Sequence, residues 1–411
     1  MKVERNPYFT KVSLSRSSLW KGKSPLLGSL DMEVTERCNN NCIHCYINLQ
    51  AHDHTARERE LSTGEIKEIL RETASLDCLR VRLTGGEPLL RDDFEEIYLF
   101  ARKLGLKVLL FTNATLMTPH LAELFARIPP MEKIEISFYG LKKESYEAVT
   151  RIPGSFDAAR QGIYLLLERK VPFIVKSALL PPNKDEVEEF EAWGSTLPWM
   201  DKPPSYSMFF SLRCRRDLNE KNNLIKELRI SPEEGLRMLN RKEGKYFDEM
   251  REFCLKFIGP RGNQLFCCGA GIGGGCVDAY GYFQPCMELR HPDTVYNLKK
   301  GSLKDALVNF FPRIREMKAT NQEYLRRCAH CFLKGLCEQC PAKSWMEYGA
   351  LDTPVEYLCK IAHTQAISLG LIGENENGWE ISDWQGRIRR FSGTDPIANE
   401  MSAAELRRVC A

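Results

Sequence analysis

Long apolar runs are missing from this chain of 411 residues: nowhere do eighteen apolar residues follow one another, which excludes an apolar membrane-spanning helix. Nor is there an excess of either charge. Lys and Arg number 58 against 55 for Asp and Glu, a net +3, which gives no electrostatic basis for binding nucleic acid or an anionic membrane. Met1 to Leu30 is polar and interrupted by Pro7 and Pro25, so the apolar core of a secretory signal is lacking too. Internal repeats and low-complexity tracts are absent. These absences predict a cytoplasmic protein with no membrane or nucleic-acid partner, long enough for more than one domain.

Cysteine, by contrast, is plentiful, at 16 residues. Disulfides rarely persist in a reducing compartment, so the count points to metal sites or thiol chemistry. Cys38, Cys42 and Cys45 lie close together, directly after the strand-like run Leu30–Val34. Three such thiolates can hold three corners of an iron–sulfur cube, leaving the fourth iron open to a small molecule. A zinc knuckle, and with it a zinc-stabilised binding protein, is the competing reading.

Strands and helices alternate from Leu30 onward. Leu30–Val34, Leu79–Leu83, Lys107–Phe111, Lys133–Ser137, Pro172–Leu179 and Ser205–Leu212 read as strands. Helices are predicted over Ser62–Ser75, where Ser62 and Glu65 form a capping box, and over Arg91–Leu104, stopped by Gly105. Others fall at Pro119–Arg127, Phe156–Arg169 and Lys184–Trp193. Such alternation predicts an α/β fold with parallel strands and helices outside. The polar motifs sit at successive strand ends: the cysteine loop, then Thr84-Gly85-Gly86-Glu87-Pro88, then Thr112-Asn113, then Ser137. In βα barrels those ends share one face. Taken singly, Gly85-Gly86 fits a tight turn, Glu87 a helix cap and Asn113 a turn residue.

The triplet C-x3-C-x2-C followed by Leu83-Thr84-Gly85-Gly86-Glu87-Pro88 resembles the signature pair of the radical S-adenosylmethionine (SAM) enzymes. The resemblance implies a partial (β/α)6 TIM-like barrel over about residues 25–215, with a 4Fe–4S cluster on Cys38, Cys42 and Cys45 whose open iron chelates SAM. Gly85, Gly86 and Glu87 would then receive the amino group of SAM, with Asn113 also at the cofactor. Ser137 would contact its ribose and Arg151 its carboxylate, although Arg151 also suits a surface salt bridge. His44 takes a position beside the adenine. A catalytic acid or base is not identified.

From Phe266 the composition shifts. Cys267-Cys268 leads through Gly273-Gly274-Gly275-Cys276 to Gly281-Tyr282-Phe283-Gln284-Pro285-Cys286, then Cys328, Cys331, Cys337, Cys340 and Cys359. The order resembles the SPASM extension of radical SAM enzymes, which implies a small cysteine-rich domain over 266–365 with two auxiliary 4Fe–4S clusters. The first would take Cys268, Cys276, Cys286 and Cys340; the second Cys328, Cys331, Cys337 and Cys359. With four thiolates each, both would carry electrons rather than bind substrate. Cys267 competes with Cys268, and the C-x2-C that ends at Cys340 is one residue shorter than is usual in the family. Cys78, Cys214, Cys254, Cys267 and Cys410 are left over, Cys78 reading as core. Residues 1–24 form an N-terminal segment, 216–265 a helical bridge and 366–411 a polar tail, mobile or partner-binding.

Relatives with this architecture often modify peptides, so the expected substrate is a ribosomally made peptide undergoing a cross-link, thioether formation or oxidation. A separate leader-peptide-binding protein and an electron donor such as flavodoxin or ferredoxin would be partners. A tetrapyrrole is the alternative substrate. The sulfatase-maturing branch fits less well, because Met287 stands where its members carry an aspartate, with Glu288 next.

Overall fold

A computed structural model describes residues 26–45, 47, 49–207, 219–241, 245–260 and 262–393. The predicted strands form as β1 (Ser29–Glu33), β2 (Arg80–Thr84), β3 (Lys107–Thr112), β4 (Met131–Ser137), β5 (Phe173–Ala178) and β6 (Ser205–Ser207). They lie side by side in chain order and every neighbouring pair is parallel. The expected extension of the sixth strand through 208–212 lies outside the described residues, as do the segment 1–24, Cys214 and Cys410.

Helices α1 (Thr63–Ser75), α2 (Phe94–Lys103), α3 (Pro119–Arg127), α4 (Lys143–Thr150), α5 (Ser155–Glu168) and α6 (Val187–Ser195) connect them. The capping box of Ser62 and Glu65 is present at α1. Helix α4 is an addition that the sequence reading missed. It ends at Arg151 in the left-handed region, φ 56°.

Strand alternation positions the site. Leu30, Met32, Val81, Leu83, Val108, Leu110, Ile134, Ile136, Phe173 and Val175 point to one face and are buried in the main core. Each such side chain stabilises the fold by about 1.5–3 kcal/mol. The other face carries Asp31, Glu33, Arg82, Phe111, Glu135, Ser137 and Lys176. A parallel sheet packed by helices on both sides is apolar on both. The charged face here is therefore the inner wall of a half-barrel.

Strands β7 (Gly274–Val277), β8 (Tyr282–Gln284) and β9 (Tyr296–Asn297) extend the sheet beyond β1, β7 parallel to it and β8 and β9 antiparallel in turn. The cysteine-rich region thus shares the barrel's sheet and core. The sheet is open between β9 and β6 among the described residues. Helices α7 (Asn219–Glu227), α8 (Pro232–Asn240) and α9 (Lys245–Phe257) fill the bridge. A second core gathers Cys254, Phe332, Leu333, Ala366, Leu371, Ile372 and Ile388. Part of the expected tail is folded into it: α12 (Trp384–Ser392) follows α10 (Pro341–Tyr348) and α11 (Glu356–Ser368) and buries Ile388. Among the described residues no helix is long and apolar enough to cross a membrane.

Candidate active site

The cysteine loop leaves β1 and is knitted in from three sides. Arg37 and Glu60 form a buried ion pair, with Nε and Nη2 each 3.0 Å from a carboxylate oxygen. Asn41 and Ile43 donate their backbone N–H groups to the carbonyls of Thr150 and Val149 at the end of α4, at 3.0 and 2.9 Å. Arg151 then clamps the loop, Nε to the Asn41 carbonyl at 2.8 Å and Nη2 to its side-chain oxygen at 2.9 Å. The residue expected at the SAM carboxylate is thus engaged with the loop itself.

Gly85 and Gly86 press on the loop's backbone. A Cβ on Gly85 would lie 2.2 Å from the Thr35 carbonyl oxygen, and one on Gly86 2.1 Å from that of Arg37. Gly86 N–H donates to Thr35 O at 2.7 Å and Glu87 N–H to Arg37 O at 2.9 Å. Glu87 is wholly buried. Its oxygens accept from Leu89 N–H at 3.0 Å, Thr112 hydroxyl at 2.8 Å and Asn113 N–H at 2.7 Å. A carboxylate has about four acceptor positions, so capacity for one more donor remains. Burial pushes its pKa up to about 7, against the lowering effect of those donors. Asn113 directs its amide to Cys38 Sγ at 3.7 Å and to Asn39 at 3.1 Å. Ser137 is half-buried at the end of β4 on the inner face, its register partner being Lys176.

The three thiols share one locus. Burial first, then Glu87, Cys45 and Cys42, raise the Cys38 thiol; burial and Cys45 push Cys42 up to about 12, opposed by a hydrogen bond with Tyr139. His44 meets the Tyr139 ring edge-on at 5.1 Å between centroids. Two buried thiols, Cys38 and Cys42, whose ionisation burial and the neighbouring thiols oppose, suit a cationic iron cluster together with the half-buried Cys45, because the cluster relieves that cost when it takes their thiolates. The donor set fits the group.

In the cysteine-rich region Cys328, Cys331, Cys337 and Cys359 line one cavity with Arg327, Gln339, His363 and Trp379. Among the described residues no three His, Cys, Asp or Glu side chains close on a single metal ion; these four thiols ring a space instead. Arg327 donates to Cys359 Sγ at 3.4 Å. This set also fits a cluster.

The other expected set is brought together only in part. Charges on Cys268 and Cys286 act on Cys340 or are acted on by it, and so Cys268 rather than Cys267 faces that thiol. Cys276 departs from the set. Its place in β7 opposite Asp31 puts it on the inner face, where the charges that act on it are Glu33, Arg290, Asp31 and Asp278. Cys78 is buried core as read.

Sequence reasoning missed the inner-face charges. Asp31 pairs with Arg82 at 2.9 Å and Glu135 with Lys176 at 3.2 Å, both pairs half-buried. Burial raises the Asp31 carboxyl, opposed by Arg82. The signal was present in the alternation of polar with apolar residues in Leu30-Asp31-Met32-Glu33, Val81-Arg82-Leu83 and Ile134-Glu135-Ile136-Ser137.

Residues 32–193 match the family described as the Radical SAM superfamily. Over residues 32–193 the chain belongs to the radical SAM superfamily. An AdoMet-dependent heme synthase of Methanosarcina barkeri is 28% identical over 342 residues, covering 77% of this chain and 92% of that protein. An Fe-coproporphyrin III synthase of the same organism is 31% identical over 163 residues, 39% of this chain and 38% of the relative. Two solved structures share the fold at 16% identity. One is anSMEcpe with bound AdoMet, TM-score 0.55, covering 88% of this chain and 99% of that one. The other is Streptococcus suis SuiB bound to precursor peptide SuiA, TM-score 0.52, covering 82% and 76%. Membership of an enzyme superfamily displaces the reading as a zinc-stabilised binding protein.

Proposed function

We propose that this radical SAM enzyme acts on a tetrapyrrole bearing carboxylate side chains, with the cysteine-rich region serving as a SPASM-type electron relay. When bound, the cluster and SAM supply reductive cleavage of the sulfonium to a 5′-deoxyadenosyl radical that takes a hydrogen atom from substrate. The chain's own residues hold and shield that chemistry. Cys38, Cys42 and Cys45 provide three ligands. Arg151, Gly85 and Gly86 fix the loop, and the remaining acceptor position of Glu87 complements the SAM ammonium. Asn113 and Ser137 lie at the neighbouring strand ends, where the rest of SAM would extend.

Cys328, Cys331, Cys337 and Cys359 would hold one auxiliary 4Fe–4S cluster, supported by their common cavity. Cys268, Cys286 and Cys340 would hold another, and a small electron-transfer protein of the flavodoxin or ferredoxin type would be the partner. The observation that carries the substrate class is the match to a heme synthase over 342 residues, 77% of this chain and 92% of that relative. The peptide expected from sequence keeps the support of fold likeness alone, through a neighbour bound to a precursor peptide.

The test is anaerobic turnover with SAM and reductant, offering iron–coproporphyrin III or a pool of small precursor peptides. Stoichiometric 5′-deoxyadenosine with a changed porphyrin mass supports the reading. A modified peptide beside an unchanged porphyrin overturns it.

A further inference from the structure

The inner face of the half-barrel holds two cations that nothing in the SAM site uses. Arg82 and Lys176 converge on one ring: the guanidinium carbon is 4.7 Å and the ammonium 3.1 Å from the centroid of Phe111. Each is tethered on its far side, Arg82 to Asp31 and Lys176 to Glu135. The side chains stay 30% and 25% exposed, so the tethering does not close them off.

Arg82 has more to give. Nη1 donates to Asp31 at 2.9 Å and approaches Met287 Sδ at 3.1 Å, while its buried Nε has no hydrogen-bond partner among the described residues. A buried donor left unmade is costly, so such an atom is met by an ordered water or a bound group. The position matters as well. Lys176 lies opposite Ser137 in register, while Arg82 reaches Met287, which follows Cys286 directly; the pair thus adjoins the SAM site through Lys176 and the cysteine-rich region through Arg82.

We propose that Arg82 and Lys176 form a carboxylate-binding floor on the inner face of the half-barrel, Arg82 through the exposed part of its guanidinium and Lys176 as a second point charge, with Phe111 holding both in place. The proposal rests on the tetrapyrrole reading and names what that site recognises: the substrate's carboxylate side chains. Asp31 and Glu135 balance the two cations at rest, so the guest's carboxylates must compete with those pairs rather than meet bare charge. Charge-assisted hydrogen bonds in a half-buried site are strong enough for that.

The experiment is visible-absorbance titration of the anaerobic holoenzyme with coproporphyrin III and with its tetramethyl ester. The acid should bind at least tenfold more tightly. Arg82→Gln and Lys176→Gln should each weaken the acid by about ten- to a hundredfold and leave the ester as it was, while Arg82→Lys, which keeps the charge, should preserve part of the preference. Equal binding of acid and ester by the unaltered enzyme overturns the carboxylate floor and leaves the tetrapyrrole reading standing. If neither porphyrin binds, the tetrapyrrole reading fails and glutarate decides the floor. A thermal shift with glutarate, lost in both Gln variants, upholds the site; equal shifts in all three proteins overturn it.

Discussion

Replacing Gly86 by Ala is the sharpest perturbation of the cluster loop. The new Cβ would stand 2.1 Å from the Arg37 carbonyl oxygen, 2.5 Å from its carbon and 2.8 Å from the Glu36 carbonyl oxygen, where ordinary contact begins at 3.4 Å. All three atoms are backbone, so no side chain can swing aside; the loop must retreat by about 1 Å. That retreat breaks the bonds from Gly86 N–H to Thr35 and from Glu87 N–H to Arg37. Each is worth about 1 kcal/mol net, and overpacking adds about 1–3 kcal/mol, giving about 3–5 kcal/mol in all. Since Arg37 adjoins Cys38, the same shift displaces the first proposed ligand. The assay is iron per chain after anaerobic purification, with the urea midpoint of the same samples. Gly86→Ala should lose about four irons, one cube. Gly105→Ala is the control: its φ is +81° but nothing lies within 4 Å, so it should cost about 1–2 kcal/mol of backbone strain and no iron. Equal iron and equal midpoints in the two variants would refute the reasoning.

Other consequences follow from the same geometry. Cys276→Ser should keep the iron content of the unaltered enzyme, whereas Cys286→Ser should lower it; a matching loss in both would place Cys276 among the ligands after all. Glu87 has a pKa raised from 4.5 to about 7, so the native state holds a proton that the unfolded chain releases. Its contribution is fully present below pH 4.5 and is lost as pH rises toward 7, about 3 kcal/mol in all. Urea denaturation of the iron-free chain across that window should show a shallower fall in Glu87→Gln, and identical slopes would contradict it. Arg151→Ala removes two bonds to Asn41 and should speed iron loss from the loop to a chelator, an unchanged rate counting against the clamp.

Much of this site was legible in the sequence, for definite reasons. The first five parallel strands were readable because their buried faces are nearly unbroken in apolar and β-branched residues. The cysteine spacing and the glycine pair marked the loops that follow β1 and β2. Other features needed the third dimension. Helix α4 carries too mixed a pattern to separate from its neighbour α5, and with it went the clamp from Arg151. The role of Gly85 and Gly86 as packing partners of Thr35 and Arg37 depends on contacts across two strand ends. Cys276 was read as a ligand from its glycine-rich surroundings, and its parallel pairing with Asp31 makes it a strand residue. The terminal segment was read as a polar tail, yet Leu371, Ile372 and Ile388 close the second core.

The central claim is that Cys38, Cys42 and Cys45 hold the cluster at which SAM is cleaved, and one measurement meets it head on. Anaerobically purified enzyme is given SAM and dithionite, and 5′-deoxyadenosine is quantified beside the same preparation of Cys42→Ala. The account predicts nucleoside from the unaltered enzyme and none from the variant, with iron bound by Cys328, Cys331, Cys337 and Cys359 retained. Undiminished 5′-deoxyadenosine from Cys42→Ala would contradict it.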